Sequence, residues 1–376
     1  MAHAGHRSRS LAAVLYAVTA AGTAVLIAAC GSTARPAQSA GASAVVLAAS
    51  SATISETGSS LLAQQAQTWA SAYHQANPAV TVTTESTSSG KGISAASAGT
   101  ADIGASDAYL SSGDLVKNQK LLNIPLVISA QTIIYNLPSV RNGTHINLSG
   151  TVLADIYSGT ITNWDDKLIK QLNQRVSLPS LPIRPVHRSD NSGDTFLFTS
   201  YLSTQDPDWD SRIGYGTRAA WPQVAGNLSV SSSTEVEKTC AATPGCVAYN
   251  GISFLPQALN DNLGYASLAN TVGTPTLPTT GAIQAAVAPF VNLTPPNETI
   301  AMIDGPAATG YPIVNYEYAV VSVTQPTAAK ASAIKSFLRW ALTTGNGSGY
   351  LSKYGFQRLP DTLVALGMQQ IAEIGS

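Results

Sequence analysis

One long apolar stretch, residues 124–137, constrains the fold of this chain more than any other feature. Its sequence, IPLVISAQTIIYNL, is rich in β-forming residues and contains neither a charge nor a glycine. Strands in globular proteins usually have about five or six residues, so a strand of this length is expected to leave one sheet and enter another. The stretch therefore predicts two sheets, joined by this strand as the first crossover.

Strands and helices alternate before this crossover. Residues 52–56, 79–85 and 101–105 have strand character, and residues 61–74 and 93–98 can form helices. A Gly/Ser loop, STSSGKG, is predicted between the second strand and the second helix. This alternation predicts an α/β fold.

A second α/β region follows the crossover. Helices are predicted at 151–157, 166–171 and 194–202, with a strand at 183–188. The buried strand 313–323 and the helices 328–342 and 363–374 are then expected to return the chain to the first region. We therefore predict lobe 1 from residues 51–126 and 300–376, and lobe 2 from residues 127–299.

The composition excludes one large class of partners. The 376 residues are 44% hydrophobic, which is enough to build real cores, and only 11% are charged, with 20 basic against 21 acidic side chains. A chain with this balance has no electropositive surface to neutralise a polyphosphate backbone. Nucleic acid is therefore not expected as a partner.

The N-terminus has the layout of an export signal. The basic segment MAHAGHRSRS precedes nineteen uncharged residues, 11–29, and the sequence LIAACG at their end resembles a bacterial lipobox with Cys30 as the lipidated residue. We predict a signal peptide over residues 1–29 and a flexible Ala/Ser-rich tether over 30–50. A plain membrane anchor, or a cleaved signal with an incidental cysteine, are the alternatives.

The other two cysteines, Cys240 and Cys246, lie in TCAATPGCVAY. A short loop turned by Pro-Gly in an oxidising compartment favours a disulfide, whereas two reduced buried thiols are the alternative. A metal site is not predicted, because no histidine lies within about fifty residues of the pair.

Three loops have the same composition, in which a strand ends, small hydroxyl residues and glycines follow, and a helix begins. They are residues 58–60, 88–92 and 192–195. Glycine lets a ligand approach the backbone, and the first amides of a helix lack internal partners, so each loop could hold an anion. Ordinary helix capping explains any single loop equally well.

One arginine and three aspartates lie in or near these loops. Arg188 offers a forked cationic donor to an oxyanion, whereas Asp107, Asp190 and Asp194 would repel one. The combination makes sense if the anion carries a proton, because phosphate near neutral pH can donate a hydrogen bond to a carboxylate and sulfate cannot. Asp190 could instead hold the guanidinium of Arg188 in place. The alternative is that these aspartates are surface caps and turn residues.

Five motifs in order carry a family resemblance: ETGSSLL, TSSGKGISAASAGTADIGASDAYLS, LADIYSGTITNWDD, HRSDNSGDTFLFTSYLS and MIDGPAATGYPIVNYEYAVV. Together they resemble the phosphate-binding lipoproteins of bacterial ABC phosphate importers, over residues 53–360. The resemblance implies a two-lobed periplasmic-binding-protein fold of the Venus-flytrap kind, type II-like, with the ligand in the cleft between the lobes.

The resemblance also implies which residues bind phosphate, by position in the motifs. They are Ser59, Ser60, Leu61, Ser89, Gly90, Asp107, Arg188, Ser192, Gly193 and Asp194, with Asp190 supporting the arginine. The sequence departs from the family pattern in three places. Leu61 stands where many relatives have an aromatic residue, Lys91 lies in the glycine loop, and Asp194 occupies a position often held by threonine.

The function implied is capture of inorganic phosphate outside the cytoplasm and delivery to the transmembrane subunits of an ABC permease. A monomer without a cofactor or enzymatic activity is expected, anchored by lipid to the outer face of the bacterial cell membrane. Another protonated oxyanion such as arsenate is the nearest alternative ligand. A hydrolase using His187, Ser189, Ser192 and Asp190 is opposed by strand alternation, which sends His187 and Arg188 to opposite faces. A surface adhesin or scaffold is the third class considered.

Overall fold

A computed structural model of the protein describes residues 51–140 and 143–376. The predicted signal peptide, the predicted lipidation site Cys30 and the tether 30–50 all lie outside the described residues. None of the helices in the described part of the chain is long and apolar enough to cross a membrane.

The described residues form twelve strands and thirteen α-helices. The strands are β1 Ala52–Gly58, β2 Val80–Ser86, β3 Ile103–Ser106, β4 Leu121–Tyr135, β5 Asn147–Leu148, β6 Arg184–Arg188, β7 Leu228–Val230, β8 Cys246–Gly251, β9 Gly264–Tyr265, β10 Ser267–Ala269, β11 Pro275–Thr276 and β12 Val314–Ser322. The helices are α1 Ala63–Ala76, α2 Ser89–Ala98, α3 Ser112–Lys117, α4 Gly150–Ser158, α5 Lys167–Leu172, α6 Gly193–Gln205, α7 Pro207–Arg212, α8 Ser233–Ala242, α9 Leu255–Asn260, α10 Thr280–Val287, α11 Ala328–Leu342, α12 Ser348–Leu351 and α13 Asp361–Glu373.

Strand β4 joins two sheets, as its length predicted. Residues 121–130 pair antiparallel with β12, whereas the remaining residues, from Gln131 to Tyr135, pair antiparallel with β8. Every residue of β4 is buried, which explains why the stretch carries no charge. The crossover prediction is confirmed.

The two sheets have related designs. The first sheet has the order β2-β1-β3-β12-β4, in which β1, β2 and β3 run parallel and β12 runs antiparallel to β3. The second continues β4-β8-β6-β7, in which β6 runs parallel to β8 and to β7. Ligands of open α/β sheets bind at the carboxyl ends of parallel strands, so the ends of β1, β3 and β6 are the places to look for a site.

The structure corrects the prediction that STSSGKG forms a loop. Helix α2 begins at Ser89, so its Gly90-Lys91-Gly92 segment forms the first helical turn rather than a loop. A side chain at Gly92 would collide with the backbone of Gly58 and Ala105, so the glycine lets this turn lie directly on the first sheet. Tertiary packing thus overrides the low helix propensity of serine and glycine.

Cys240 at the end of α8 and Cys246 at the start of β8 are joined by a disulfide, with their Cα atoms 5.2 Å apart. Both are fully buried in a small apolar cluster beside the second sheet, with Ile134, Val186 and Val236. The bridge therefore ties a helix to the strand next to β6, on which Arg188 lies.

Candidate functional site

The site forms where the carboxyl ends of strands from both sheets meet. The turn after β1 supplies Ser59 and Ser60, the loop after β3 supplies Asp107, and β6 ends at Arg188. The amino ends of α2 and α6 lie at the same place. Gly58 has φ of +146°, and any side chain there would collide with the backbone of Ala105, so only glycine lets the turn after β1 approach β3 this closely.

Asp107 is held by hydroxyl groups of the first sheet. The Ser59 Oγ donates a hydrogen bond to Asp107 Oδ1, and the Asp107 backbone amide donates to Ser89 Oγ at 3.1 Å. The Asp107 carbonyl accepts from Asn315 Nδ2 at 3.2 Å. These bonds fix both the backbone and the side chain of Asp107.

Arg188 is held by acidic groups of the second sheet. Its Nε and NH2 donate to the two oxygens of Asp190 at 2.7 and 2.6 Å, a bidentate pair that fixes the guanidinium plane. Its NH1 donates to Asp194 Oδ2 at 3.1 Å and to Ser233 Oγ at 2.8 Å. The prediction that Asp190 orients Arg188 agrees with this geometry.

The two groups of residues touch each other directly. Arg188 NH1 also reaches Ser60 Oγ at 3.3 Å, and Ser60 and Ser233 share a hydrogen bond of 2.7 Å. The Gly90 amide donates to the carbonyl of Asn191 at 2.9 Å. A side chain at Gly193 would overlap Asp107 and Ser89, so only glycine lets the start of α6 lie this close to these two residues.

Helices α2 and α6 both point their amino ends into this region. Ser192 caps α6, since its Oγ accepts from the Thr195 amide at 3.4 Å. Ser88, at the start of α2, makes no such capping bond, and its buried Oγ has no partner among the described residues. The partial positive charge of two helix ends thus adds to the charge of Arg188, which favours an anion here.

Three carboxylates of the site are almost fully buried. Asp107 is 3% exposed, Asp194 is 1% exposed and Glu317 of β12 is 0% exposed. Burial raises the pKa of all three, and raises that of Glu317 well above its ordinary value. For Asp194 burial and the neighbouring Asp107 raise the pKa to about 6, with Arg188 opposing the shift.

Arg188 is the cation among these carboxylates. Burial lowers its pKa, but the hydrogen bond to Asp190 and the charges of Asp194 and Asp190 outweigh burial, so the net shift is upward. Arg188 therefore stays charged, and the buried site combines one fixed positive charge with carboxyl groups that resist ionisation.

The structure brings the predicted site residues together, with three qualifications. Leu61 has a fully buried side chain, so only its backbone could face a ligand. The Gly90 amide is engaged by Asn191, and the Ser192 hydroxyl by the helix it caps. The carboxylate of Asp194 is paired with Arg188 and does not cap α6.

Sequence reasoning missed three polar residues of the site. Glu317 lies beside Ser59 and Asp107, Ser233 binds Arg188, and Gln131 donates to Asp194 Oδ1 at 3.1 Å. Glu317 and Gln131 each interrupt a long apolar strand, and a polar group in such a strand is the signal that could have found them. Ser233 follows no comparable pattern.

The residues of the hydrolase alternative are dispersed. The His187 ring stacks on Trp221, with centroids 4.8 Å apart, and its Nδ1 lies 3.2 Å from the Arg188 carbonyl. The Ser189 hydroxyl is exposed and donates to Val230 at 3.1 Å. Neither contact builds a nucleophile with an adjacent base.

Comparison with known proteins first shows the class of protein to which the chain belongs. Residues 42–344 match the family model of the PBP superfamily domain. A solved structure of a high affinity periplasmic phosphate-binding protein, PfluDING, bound with phosphate has a TM-score of 0.67 at 20% identity and covers 86% of this chain and 99% of its own. The two-lobed periplasmic-binding-protein fold is therefore confirmed.

Curated relatives then identify the family. The phosphate-binding protein PstS of Methanocaldococcus jannaschii is 33% identical over 342 residues, which are 85% of each chain. The phosphate-binding protein PstS of Xylella fastidiosa is 30% identical over 313 residues, 83% of this chain and 82% of its own. The chain belongs to the family of PstS phosphate-binding proteins.

Proposed function

We propose that this protein binds inorganic phosphate outside the cytoplasm and delivers it to an ABC-type membrane permease for import. The observation that carries the proposal is the pairing of one buried arginine with a buried aspartate that no cation contacts directly. Arg188 and two helix ends supply attraction for an anion. Asp107 supplies an acceptor to which a protonated anion can donate and a fully ionised one cannot.

This arrangement favours phosphate over sulfate on physical grounds. Phosphate near neutral pH keeps at least one hydrogen and can donate it to Asp107, whereas sulfate is fully ionised and would leave two negative groups in contact. Sites built on a hydrogen bond to the ligand commonly reject the mismatched ligand by roughly 10⁴-fold. The relatives are named for phosphate, and they give no support to arsenate, to a hydrolase or to an adhesin. The protein is a binding component and not an enzyme.

The ligand residues are part of the proposal. We assign phosphate contacts to the backbone amides and hydroxyls of Ser59, Ser60, Leu61, Ser89, Gly90, Ser192 and Gly193, and to the side chains of Asp107, Arg188 and Asp194. The amides of Ser59, Gly90 and Ser192 already donate to the carbonyls of Ala105, Asn191 and Thr217. To reach phosphate, each must leave that carbonyl or donate a bifurcated hydrogen bond. No cofactor or metal is required, and among the described residues no group of three or more His, Cys, Asp or Glu side chains could hold a metal ion.

Calorimetric titration of the purified protein with phosphate, repeated in the presence of sulfate, tests the function. We expect tight phosphate binding that excess sulfate does not compete away. Equal affinity for the two anions, or no phosphate binding, would contradict the proposal.

Closure of two lobes around the ligand is the proposed mechanism of capture. The lobes are residues 51–126 with 300–376, and residues 127–299, and β4 changes sheets only a few residues from this boundary. The Gly90 to Asn191 and Ser60 to Arg188 contacts join the two sides. Small-angle scattering should show a smaller radius of gyration with phosphate. An unchanged radius in protein that binds phosphate would contradict closure on binding.

Membrane attachment through a lipid on Cys30 completes the proposal, with the protein acting as a monomer. The support is the sequence LIAACG after an uncharged stretch of nineteen residues. Mass spectrometry of the membrane fraction should find a chain that begins at an acylated Cys30. An unmodified N-terminus at another residue would overturn the lipid assignment.

A further inference from the structure

Glu317 lies at an irregular position of the first sheet. The pairing of β12 with β4 shifts register between Glu317 and Tyr318, and such bulges re-aim the side chain they carry. The side chain of Glu317 is completely buried and lies beside Ser59, in the turn after β1. A carboxyl group is thus placed in the site by β12, a strand to which the family resemblance assigned no phosphate-binding residue.

The donors around Glu317 are too few for an ionised carboxylate. Asn315 Nδ2 donates to Oε1 at 2.8 Å. Ser59 Oγ lies 3.5 Å from Oε2, but its single hydrogen is directed to Asp107, and the same oxygen accepts from the Leu62 amide at 3.1 Å. The oxygen Oε2 therefore has no strong donor within the described part of the chain.

Among the described residues, no cationic side chain forms an ion pair with Glu317 to compensate for this shortage of donors. Arg188 directs its hydrogen bonds to Asp190, Asp194, Ser60 and Ser233. The groups that face Glu317 are acidic or neutral: Asp107 from the loop after β3, Asp194 from α6 and Tyr318 from its own strand. Two ionised carboxylates in contact without a cation would repel each other strongly, so one of them must hold a proton.

We propose that Glu317 is a positioning residue that keeps its proton and donates a hydrogen bond to Asp107, so that Asp107 remains the ionised acceptor for the proton of the ligand. This inference rests on the proposed phosphate function. Burial raises the pKa of Glu317 well above its ordinary value, and the neighbouring Asp107 raises it further. The hydrogen bond from Glu317 in turn lowers the pKa of Asp107 against the effect of burial.

The proposal explains how a buried aspartate can discriminate between anions. Without the hydrogen bond from Glu317, Asp107 would take up a proton more readily, because burial disfavours its charge and the bond from Ser59 would remain as the main side-chain donor. A protonated Asp107 would donate to a bare oxygen and would accept sulfate. Glu317 thus controls selectivity without contacting the ligand.

Two substitutions separate this role from simple packing. In Glu317→Leu the donor to Asp107 is lost, and we expect the ratio of phosphate to sulfate affinity to fall by about tenfold or more at neutral pH. In Glu317→Gln the amide can donate as the protonated acid does, and we expect the ratio to be restored to within about threefold of the wild-type value. Exposed Glu373→Gln is the matched control.

The pH dependence gives a second readout. The folded pKa of Glu317 is raised above its unfolded value of about 4.5. Keeping the acid protonated on folding therefore costs nothing extra below the unfolded pKa, and the cost grows as pH rises toward the folded pKa. Glu317→Gln removes this cost. Its melting temperature, relative to wild type, should therefore increase as pH rises.

Calorimetry with phosphate and sulfate, and thermal melts from acidic to mildly alkaline pH, complete the experiment. If Glu317→Leu and Glu317→Gln change the anion ratio equally, or if the melting difference for Glu317→Gln does not depend on pH, the proton-donating role is wrong. If wild type shows no preference for phosphate, the proposed function fails instead, and the two failures are thus distinguished.

Discussion

The two halves of the site bury central groups of opposite charge. The Asp107 half, formed by Ser59, Ser89, Asp107 and Glu317, buries two carboxyl groups and uses hydroxyls and one amide around them. The Arg188 half, formed by Arg188, Asp190, Asp194 and Ser233, buries a cation and surrounds it with carboxylates. Under the proposed function, attraction of the anion belongs to the Arg188 half and selection for its proton belongs to the Asp107 half. Changes in the two halves should therefore have different signatures.

Arg188→Ala should have the largest effect on affinity. The substitution removes the charged donor and leaves Asp190 and Asp194 unopposed, so phosphate affinity should fall by roughly 10²- to 10³-fold. Arg184→Ala, at the exposed start of the same strand, is the control and should bind normally. Calorimetry measures the phosphate affinity of both variants. A loss of affinity of less than about tenfold in Arg188→Ala would mean that attraction of the anion does not depend on the Arg188 half.

Asp107→Asn should act on selectivity more than on affinity. The amide keeps the shape of the carboxylate, but its NH₂ can donate to a bare oxygen, so the ratio of phosphate to sulfate affinity should fall by roughly tenfold or more. Titration with each anion measures the ratio, with exposed Asp208→Asn as the control. An unaltered ratio would show that the Asp107 half does not select phosphate over sulfate.

Asp194→Asn sharpens the comparison, because the sequence left two roles open for this residue. Its oxygens accept from Gln131, Arg188 and Ser233, so we expect it to serve Arg188 and to change the anion ratio much less than Asp107→Asn does.

The pH dependence of the same variant tests the charge of Asp194. Its pKa is raised to about 6, so the side chain repels the anion above that pH and becomes neutral below it. Wild-type affinity should therefore rise relative to Asp194→Asn as pH falls through about 6, by less than about tenfold. Protonation of phosphate itself affects both proteins and cancels in the comparison. A large fall in the ratio of phosphate to sulfate affinity in Asp194→Asn would instead show that Asp194 is a second acceptor for the proton of the ligand.

Removal of the disulfide should have the smallest effect on binding. The double substitution Cys240→Ser and Cys246→Ser opens a six-residue separation and should lower stability by ~2 kcal/mol by the chain-entropy estimate. Thermal unfolding measures the loss, and calorimetry should find phosphate affinity within about twofold of wild type, since the bridge contacts no site residue. A coupled loss of affinity would show that the bridge positions β6 and Arg188.

Several elements could be predicted because their signals are local. Strand β4 is apolar along its whole length, and the helix predicted over residues 328–342 is observed as Ala328–Leu342. Residues 206–299 received no predicted elements, although the structure has short helices and strands there. Strands of two or three residues, such as β9 and β11, show no periodicity, because only their sheet partners define them.

The sequence by itself predicted the two-sheet fold and the residues that we propose attract and test an anion. Hydrophobic runs, glycine and serine turns, and the charges around Arg188 are local features, and local features can be recognised from the order of the residues alone. Only the tertiary structure decided that Glu317 meets Ser59, 258 residues away in sequence, and that Ser233 shares Arg188 with Asp194. The reason is physical: a register shift in β12 and the packing of distant segments set which polar groups become neighbours, and burial then sets which of them keep a proton.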